Sequence, residues 1–161
     1  FKQNLFQGVI MKTRYCFFFA FFLISLVPGL LTAQDISVHK FIGKPKSDVI
    51  KKYGSPAHQD NSNPDMMCMF YQTKTNRMIF VSDKNGVYQS ESTANFNSET
   101  SARKAVDELI KNSVADGFAV DTVSANDFLL HKTGVKTDLQ ISENKITKNF
   151  DVSVKAHRSE D

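Results

Sequence analysis

Cysteine is scarce in this sequence, with two residues among 161, and tryptophan is absent. Cys16 lies in an apolar run near the start, so Cys68 is the single thiol of the remaining chain. One thiol excludes an intramolecular disulfide, and core packing must therefore stabilise the fold. A free thiol and an intermolecular disulfide at Cys68 both remain open.

Long hydrophobic runs are also missing. The longest apolar run, residues 16–27, has about a dozen residues, whereas a membrane-spanning helix needs roughly 20. Lys12 and Arg14 precede this run, and the small residue Ala33 follows it. This pattern is typical of a cleaved secretory signal peptide, and an uncleaved signal anchor is the alternative.

The leader sets the expected limits of the mature chain. We predict a signal peptide at residues 11–33 that is cut between Ala33 and Gln34. Residues 1–10 precede the start methionine and are interpreted as an upstream extension. The sequence therefore predicts a periplasmic or secreted bacterial protein without stable membrane insertion after cleavage.

An excess of charge of one sign is absent once the leader is removed. The net charge of +3 comes from Lys2, Lys12 and Arg14, and the other 128 residues carry seventeen basic and seventeen acidic side chains. Nucleic acids and anionic membranes attract proteins with a basic excess, so neither is an expected partner. The length allows one domain or two small halves.

Catalytic and cofactor motifs are lacking as well. The sequence has no Gly-x-Ser-x-Gly elbow, no His-x-x-x-His pair and no glycine-rich phosphate loop. We therefore expect no enzyme activity and no cofactor. A thiol–imidazole pair of Cys68 with one of the four histidines is a formal alternative without a local signature. These histidines are His39, His58, His131 and His157.

A sulfur-rich segment raises the possibility of a soft-metal site. Met67, Cys68 and Met69 follow one another, and His58 is near them in sequence. Thioether and thiolate ligands suit Cu(I). In a strand, however, Met67 and Met69 point to one face and Cys68 to the other, so core packing is the favoured interpretation.

Hydrophobic periodicity predicts two helices and seven strands. The first helix covers residues 45–53, and the second begins after the N-cap Ser98 and ends at Gly117. A polar loop covers residues 55–65, and residues 83–86 form a hairpin turn. The predicted strands are residues 66–73, 77–82, 87–92, 118–123, 128–132, 135–142 and 146–157.

Two parts of the sequence resemble each other at an offset of sixty residues. Residues 48–52 match residues 108–112, and residues 81–83 match residues 141–143. We therefore predict an α+β fold of two helix-plus-antiparallel-meander halves, residues 34–96 and 97–161, with the helices packed on one face of a sheet. Chance similarity of two amphipathic helices is the alternative, and whether the halves share one continuous sheet stays open.

The first half also resembles a known family. The sequence resembles the β-lactamase-inhibitor-protein-like superfamily, which includes the SmpA/OmlA (BamE-type) outer-membrane lipoproteins. The resemblance implies a non-catalytic exported module that presents a sheet or loop surface to another protein, and the inhibitor branch has two such units in tandem. The matching segments are I-G-K-P at residues 42–45, D-V-I at 48–50, Y-G-S-P at 53–56, Phe70 with Tyr71, and Gly86 with Val87.

These observations favour a protein that binds another exported or envelope protein. His58 and Asp60 supply hydrogen-bonding groups in the loop of residues 55–65, and Tyr71, Tyr88 and Phe96 are the candidate aromatic anchors. A periplasmic small-ligand or copper-binding protein is the alternative, with Met67, Met69, Cys68 and His58 as candidate ligands.

Overall fold

The structure is a computed structural model that describes residues 34–160. The predicted signal peptide and upstream extension lie outside the described residues. Residues 34–160 belong to one compact unit. A 3-10 helix, Val38–Phe41, is followed by helix α1 (Lys46–Tyr53), and helix α2 (Glu99–Ala115) divides the strands into two sets. The strands are β1 (His58–Asp60), β2 (Met67–Gln72), β3 (Asn76–Asp83), β4 (Gly86–Phe96), β5 (Ala119–Thr122), β6 (Asp127–Lys132), β7 (Val135–Glu143) and β8 (Phe150–Arg158).

All eight strands form one antiparallel sheet in the order β1-β2-β3-β4-β8-β7-β6-β5. The predicted fold class, α+β with two helix-plus-meander halves, is therefore wrong. The described chain is predominantly β, with two helices on a single continuous sheet. Strands β4 and β8 pair from Gln89 opposite His157 to Phe96 opposite Phe150, and this pairing joins the two sets of strands.

Helix α2 shows how local sequence determines one element. The Ser98 side chain accepts a hydrogen bond from the Ser101 backbone N–H, which satisfies one of the free donors at the helix start. Ala102, Val106 and Leu109 recur at helical spacing and are at most 2% exposed. The predicted helix after Ser98 is therefore confirmed.

The core lies between the helices and one face of the sheet. Tyr53 of α1 packs its ring 5.7 Å from the rings of both Tyr71 and Phe80. On the α2 side, Leu130, Leu139 and Val154 are fully buried. Both helices therefore cover the same sheet face.

The segment before α1 has no counterpart among the predicted elements. Residues 35–41 are here called the N-terminal segment, and the 3-10 helix within it contacts β4 and β8 on the helix-covered face. Ser90 Oγ donates to the Val38 carbonyl at 3.0 Å, and Asn76 Nδ2 donates to the Asp35 carbonyl at 3.0 Å. Val38 is completely buried. The N-terminal segment is thus an integral part of the core.

The chain between the N-terminal segment and α1 pairs with the start of β4. Gly43 N–H donates to the Val87 carbonyl at 2.7 Å, and Val87 N–H donates to the Lys44 carbonyl at 2.8 Å. Gly86 lies against this bridge with φ +106°, and a Cβ there would approach the Lys44 carbonyl oxygen to 2.7 Å. Glycine is required at this position by both backbone conformation and space.

Two glycine substitutions test this close approach. Gly86→Ala should lower the free energy of unfolding by about 3 kcal/mol or more, because backbone strain and a backbone clash add. Gly134→Ala is the matched control, since Gly134 also has positive φ, +79°, but open space around it. Its expected cost is about 1 kcal/mol. Urea unfolding measures both values, and equal losses would contradict the clash.

Candidate interaction face

The two faces of the sheet carry different residues because side chains alternate along each strand. On β3, Met78 and Phe80 point to the helices and are at most 5% exposed. Ile79 and Val81 point the other way and are half-buried. We call the face opposite the helices the open face, because neither α1 nor α2 packs on it.

An apolar cluster lies on the open face where β2 and β3 pair. Phe70 is the register partner of Ile79, and Cys68 is the register partner of Val81. All four side chains are half-buried, which shows that they shield one another without a covering helix. We call these four residues the open-face patch. Uncovered apolar clusters of this kind are common at binding surfaces.

Polar and charged side chains occupy the rest of the open face. Glu91 of β4 is the register partner of Lys155 of β8, and Lys155 is also the register partner of Asp138 of β7. Farther along, His131 Nε2 lies 3.2 Å from Asp121 Oδ2. Charges of alternating sign therefore cross the sheet beside the open-face patch, and this arrangement favours orientation of a partner.

Two carboxylates near the ends of the open face are held in their ionised form. Hydrogen bonds from Ser62, first from its backbone N–H, lower the pKa of Asp60. Hydrogen bonds from Ser124 and Gln140 lower the pKa of Asp127. Because each bond favours the charged carboxylate, both side chains remain acceptors in mildly acidic solution.

The structure places the three candidate aromatic anchors differently. Tyr71 lies in the core at 6% exposure, and its hydroxyl donates to the Gly54 carbonyl at 3.0 Å. Phe96 ends β4 opposite Phe150 and packs against the core. Tyr88 is half-buried at a β-bulge, where the register shifts between Val81 and Ser82. None of these rings belongs to the open-face patch.

The two loop candidates lie on the edge strand β1, inside the segment predicted as a loop. His58 is opposite Phe70, and Asp60 is opposite Cys68. Both side chains are exposed and lie on the same face as these partners. His58 and Asp60 thus border the open-face patch.

The sulfur atoms of β2 are divided between the two faces. Met69 is completely buried under the helices, and Met67 Sδ accepts a hydrogen bond from Lys46 Nζ at 3.6 Å on that side. Cys68 is a free thiol on the open face. Within residues 34–160, no group of three or more His, Cys, Asp or Glu side chains could hold a metal ion.

Three of the four residues of the open-face patch were not among the candidate site residues predicted from the sequence, and Cys68 was among them only as a candidate metal ligand. Strands β2 and β3 have apolar residues at both odd and even positions, so that each strand is apolar on both faces. Phe70, Ile79 and Val81 lie in these strands. When helices cover only one face of a sheet, a strand that is apolar on both faces leaves the apolar side chains of its other face uncovered. This lack of alternation in residues 67–71 and 78–81 was the available signal.

Comparisons with known proteins find no relative by sequence. No family model matches the chain, and neither does any curated protein. Within residues 34–160, neither helix is long and apolar enough to cross a membrane.

Two solved structures are similar to part of the chain. One is a cysteine-rich secretory protein from Staphylococcus aureus subsp. aureus Mu50, with a TM-score of 0.41 and 9% identity over 76% of this chain and 45% of that one. The other is an extracellular protein containing an SCP domain from Bacillus anthracis str. Ames, with a TM-score of 0.42 and 13% identity over 73% and 44%. This chain spans less than half the length of each, and neither similarity bears on what it does.

The resemblance to the β-lactamase-inhibitor-protein-like superfamily and its SmpA/OmlA branch is therefore wrong. No family model supports the short segments of residues 42–56, and the two structures similar to part of the chain are a cysteine-rich secretory protein and a protein containing an SCP domain. Those segments contain a helix end at Gly54 and a glycine bridge at Gly43, and many folds use glycine in this way. The short segments therefore resembled the family motif only because they share common glycine turns with it.

Proposed function

We propose that this protein is an exported, non-catalytic binding module that uses the open face of its sheet to bind another envelope or exported protein. The observation that carries the proposal is the open-face patch, an apolar cluster that neither helix covers. Protein interfaces combine an apolar centre with a polar rim, and the charged rows beside the patch supply such a rim.

Binding through the face is favoured over binding through a sheet edge. The two edge strands, β1 and β5, have three and four residues. Short edges offer few free backbone groups to an added strand. The face carries the larger set of uncovered apolar side chains.

Export agrees with the way the folded unit begins. The predicted cut precedes Gln34, and the chain enters the core at once, since Ile36 is 4% exposed and Val38 is completely buried. Removal of residues 11–33 would therefore leave every described element present. We propose the periplasm or the extracellular medium as the location.

The small-ligand or copper hypothesis has less geometric support. A Cu(I) site needs converging soft ligands, and Cys68 lies on the face opposite to Met67 and Met69. On the open face Asp60 lies opposite Cys68, and His58 lies two residues farther along β1, opposite Phe70. One thiol and one imidazole do not complete a soft-metal site. The interaction module is the function that the geometry supports best.

Two adjacent residues of β3 test the assignment of the faces. Ile79→Lys should change the free energy of unfolding by about 1 kcal/mol or less, because the new ammonium reaches water and lies opposite Glu91. Met78→Lys should cost about 3 kcal/mol or more, because it places a charge in the core. Thermal unfolding compares the two variants, and a similar loss in both would contradict the assigned faces.

The partner itself can be sought with a position-specific photo-crosslinker. The full chain, with a C-terminal tag, is produced in its source bacterium with the crosslinking residue at Phe70, or at Lys104 on the exposed side of α2 as the control. We expect one envelope or exported protein to be crosslinked from Phe70 and not from Lys104. Mass spectrometry of the crosslinked bands identifies it.

The same experiment has an internal test of specificity. Adding Ile79→Lys to the Phe70 crosslinking protein should reduce the crosslinked band at least tenfold, since a charge would enter the apolar contact. Equal crosslinking from Phe70 and Lys104, an unchanged band in the Ile79→Lys protein, or crosslinks only between copies of this chain would each contradict the proposal.

A further inference from the structure

The N-terminal segment carries a buried histidine that the proposed function does not use. His39 is 1% exposed, and its ring meets Phe118 edge to face at a centroid distance of 5.2 Å. Its Nε2 lies 3.0 Å from Ser113 Oγ on α2. This contact fastens the N-terminal segment to the end of α2.

The protonation state of the ring follows from its neighbours. The Ser113 hydroxyl donates its hydrogen to the Leu109 carbonyl at 2.8 Å, so its oxygen is the acceptor toward His39. Nε2 therefore carries the hydrogen, and Nδ1 is the unprotonated nitrogen. Nδ1 is buried without a hydrogen-bond partner. A proton added there would have no acceptor while the segment is in place.

The charged groups near the ring have opposing effects on its protonation. Lys40, the next residue, pairs with Asp116 at the end of α2 at 2.7 Å. Asp35 is the other charged group of the N-terminal segment near the ring, and Lys132 of β6 donates to the Asp116 carbonyl at 2.8 Å. On the side of the sheet, the covered residues of β4 and β8 are neutral. They are Ser90, Ser92, Ala94, Val152, Val154 and Ala156.

Burial is the dominant influence on this histidine. Desolvation, with a smaller contribution from Lys40, lowers the pKa of His39 from 6.5 to about 4, against opposing effects of Asp116 and Asp35. A lowered pKa means that the closed arrangement favours the neutral ring. As the pH falls below 6.5, any arrangement that exposes the ring binds a proton first and gains stability relative to the closed one. The gain levels off near pH 4, where the buried ring also binds a proton.

We propose that the N-terminal segment is an acid-sensitive strap, which lies closed over β4 and β8 while the His39 ring is neutral and is released from α2 when Nδ1 takes a proton. A local opening must break the contacts that hold the strap. These are the His39 and Lys40 contacts to α2, the Ser90 and Asn76 hydrogen bonds, the ion pair of Asp35 with Lys52, the ring contacts of Phe41 with Tyr53 and Phe80, and the burial of Ile36 and Val38. The β4–β8 ladder does not depend on hydrogen bonds from the strap. This inference is independent of the proposed partner.

Hydrogen exchange of the full chain, as processed by its host, tests the strap. The amides of Val38, Lys40 and Ile42 are hydrogen-bonded in the closed segment and report its opening. Between pH 7.5 and pH 4, the equilibrium constant for opening should rise roughly a hundredfold, as a pKa change from 6.5 to about 4 requires. Protection factors corrected for intrinsic exchange measure this change, and amides of β4 and β8 should keep their protection.

Two variants distinguish the protonation of His39 from a general weakening of the strap. His39→Gln can still contact Ser113 but does not titrate, so its strap protection should be independent of pH. Lys40→Gln removes the ion pair with Asp116 and should lower strap protection by a similar factor at pH 7.5 and pH 4. In the wild type, the His39 ring resonances should titrate near pH 4, where the rise in strap opening levels off, which gives a test that needs no variant.

Three results would overturn the strap. The first is constant protection of residues 38–42 between pH 7.5 and pH 4. The second is a loss that β4 and β8 share equally, which would mean global unfolding. The third is an unchanged pH dependence in His39→Gln.

Discussion

The pairing of β4 with β8 is the interaction on which the whole structure depends. It joins two sets of strands that α2 separates in sequence, and without it the sheet would have two additional open edges. Its helix-covered face carries small side chains, Ser90, Ser92, Ala94 and Ala156, all at most 1% exposed. The small side chains leave room for the N-terminal segment, and the serine hydroxyls find acceptors there and on Asn76. The N-terminal segment therefore packs directly over this pairing.

The two faces of the sheet contribute unequally to the stability of the fold. The helix-covered face holds an aromatic cluster whose neighbouring rings lie 5.5–5.9 Å apart: Phe41, Tyr53, Tyr71 and Phe80. Hydrophobic stabilisation scales with the apolar area removed from water, so the half-buried side chains of the open face contribute less to it. Substitutions on the open face are consequently less costly to the fold. Residues on such a surface can be replaced to suit a partner while the core is preserved.

Local signals predicted some elements well and missed others for physical reasons. Ser98, the helical spacing of α2 and the turn at residues 83–86 depend on near neighbours, and the structure has α2 and the β3–β4 hairpin where they were expected. The β4–β8 pairing depends on contacts between residues more than fifty positions apart, and strand patterns do not specify such pairings. Strand β1 consists of three residues, all polar, so it has no hydrophobic periodicity from which it could be predicted. The N-terminal segment has no regular pattern because its side chains meet α2, β4 and β8 at different points.

The candidate site was even harder to predict from local sequence patterns. Tyr71 and Phe70 are adjacent and both aromatic, yet one lies under α1 and the other on the open face. Alternation separates them, but only the position of the helices tells which face is covered. Tyr71, Tyr88 and Phe96 were therefore predicted as anchors from residue type alone. His58 and Asp60 were selected as polar loop residues and lie beside the patch, because β1 pairs with β2 through the polar segment.

The strap and the open face share strand β4 but lie on opposite sides of it. Ser90 points to the N-terminal segment, and Gln89 and Glu91 on either side point to the open face. A change on one side alters the other only if an element between them has two arrangements. Strand β4 is hydrogen-bonded along its length to β3 and β8, which restricts its pleat to one arrangement. Acid release of the segment would therefore uncover new surface over β4 and β8 while the open face keeps its shape. A partner whose affinity changes through release of the segment must accordingly contact the helix-covered side or the segment itself.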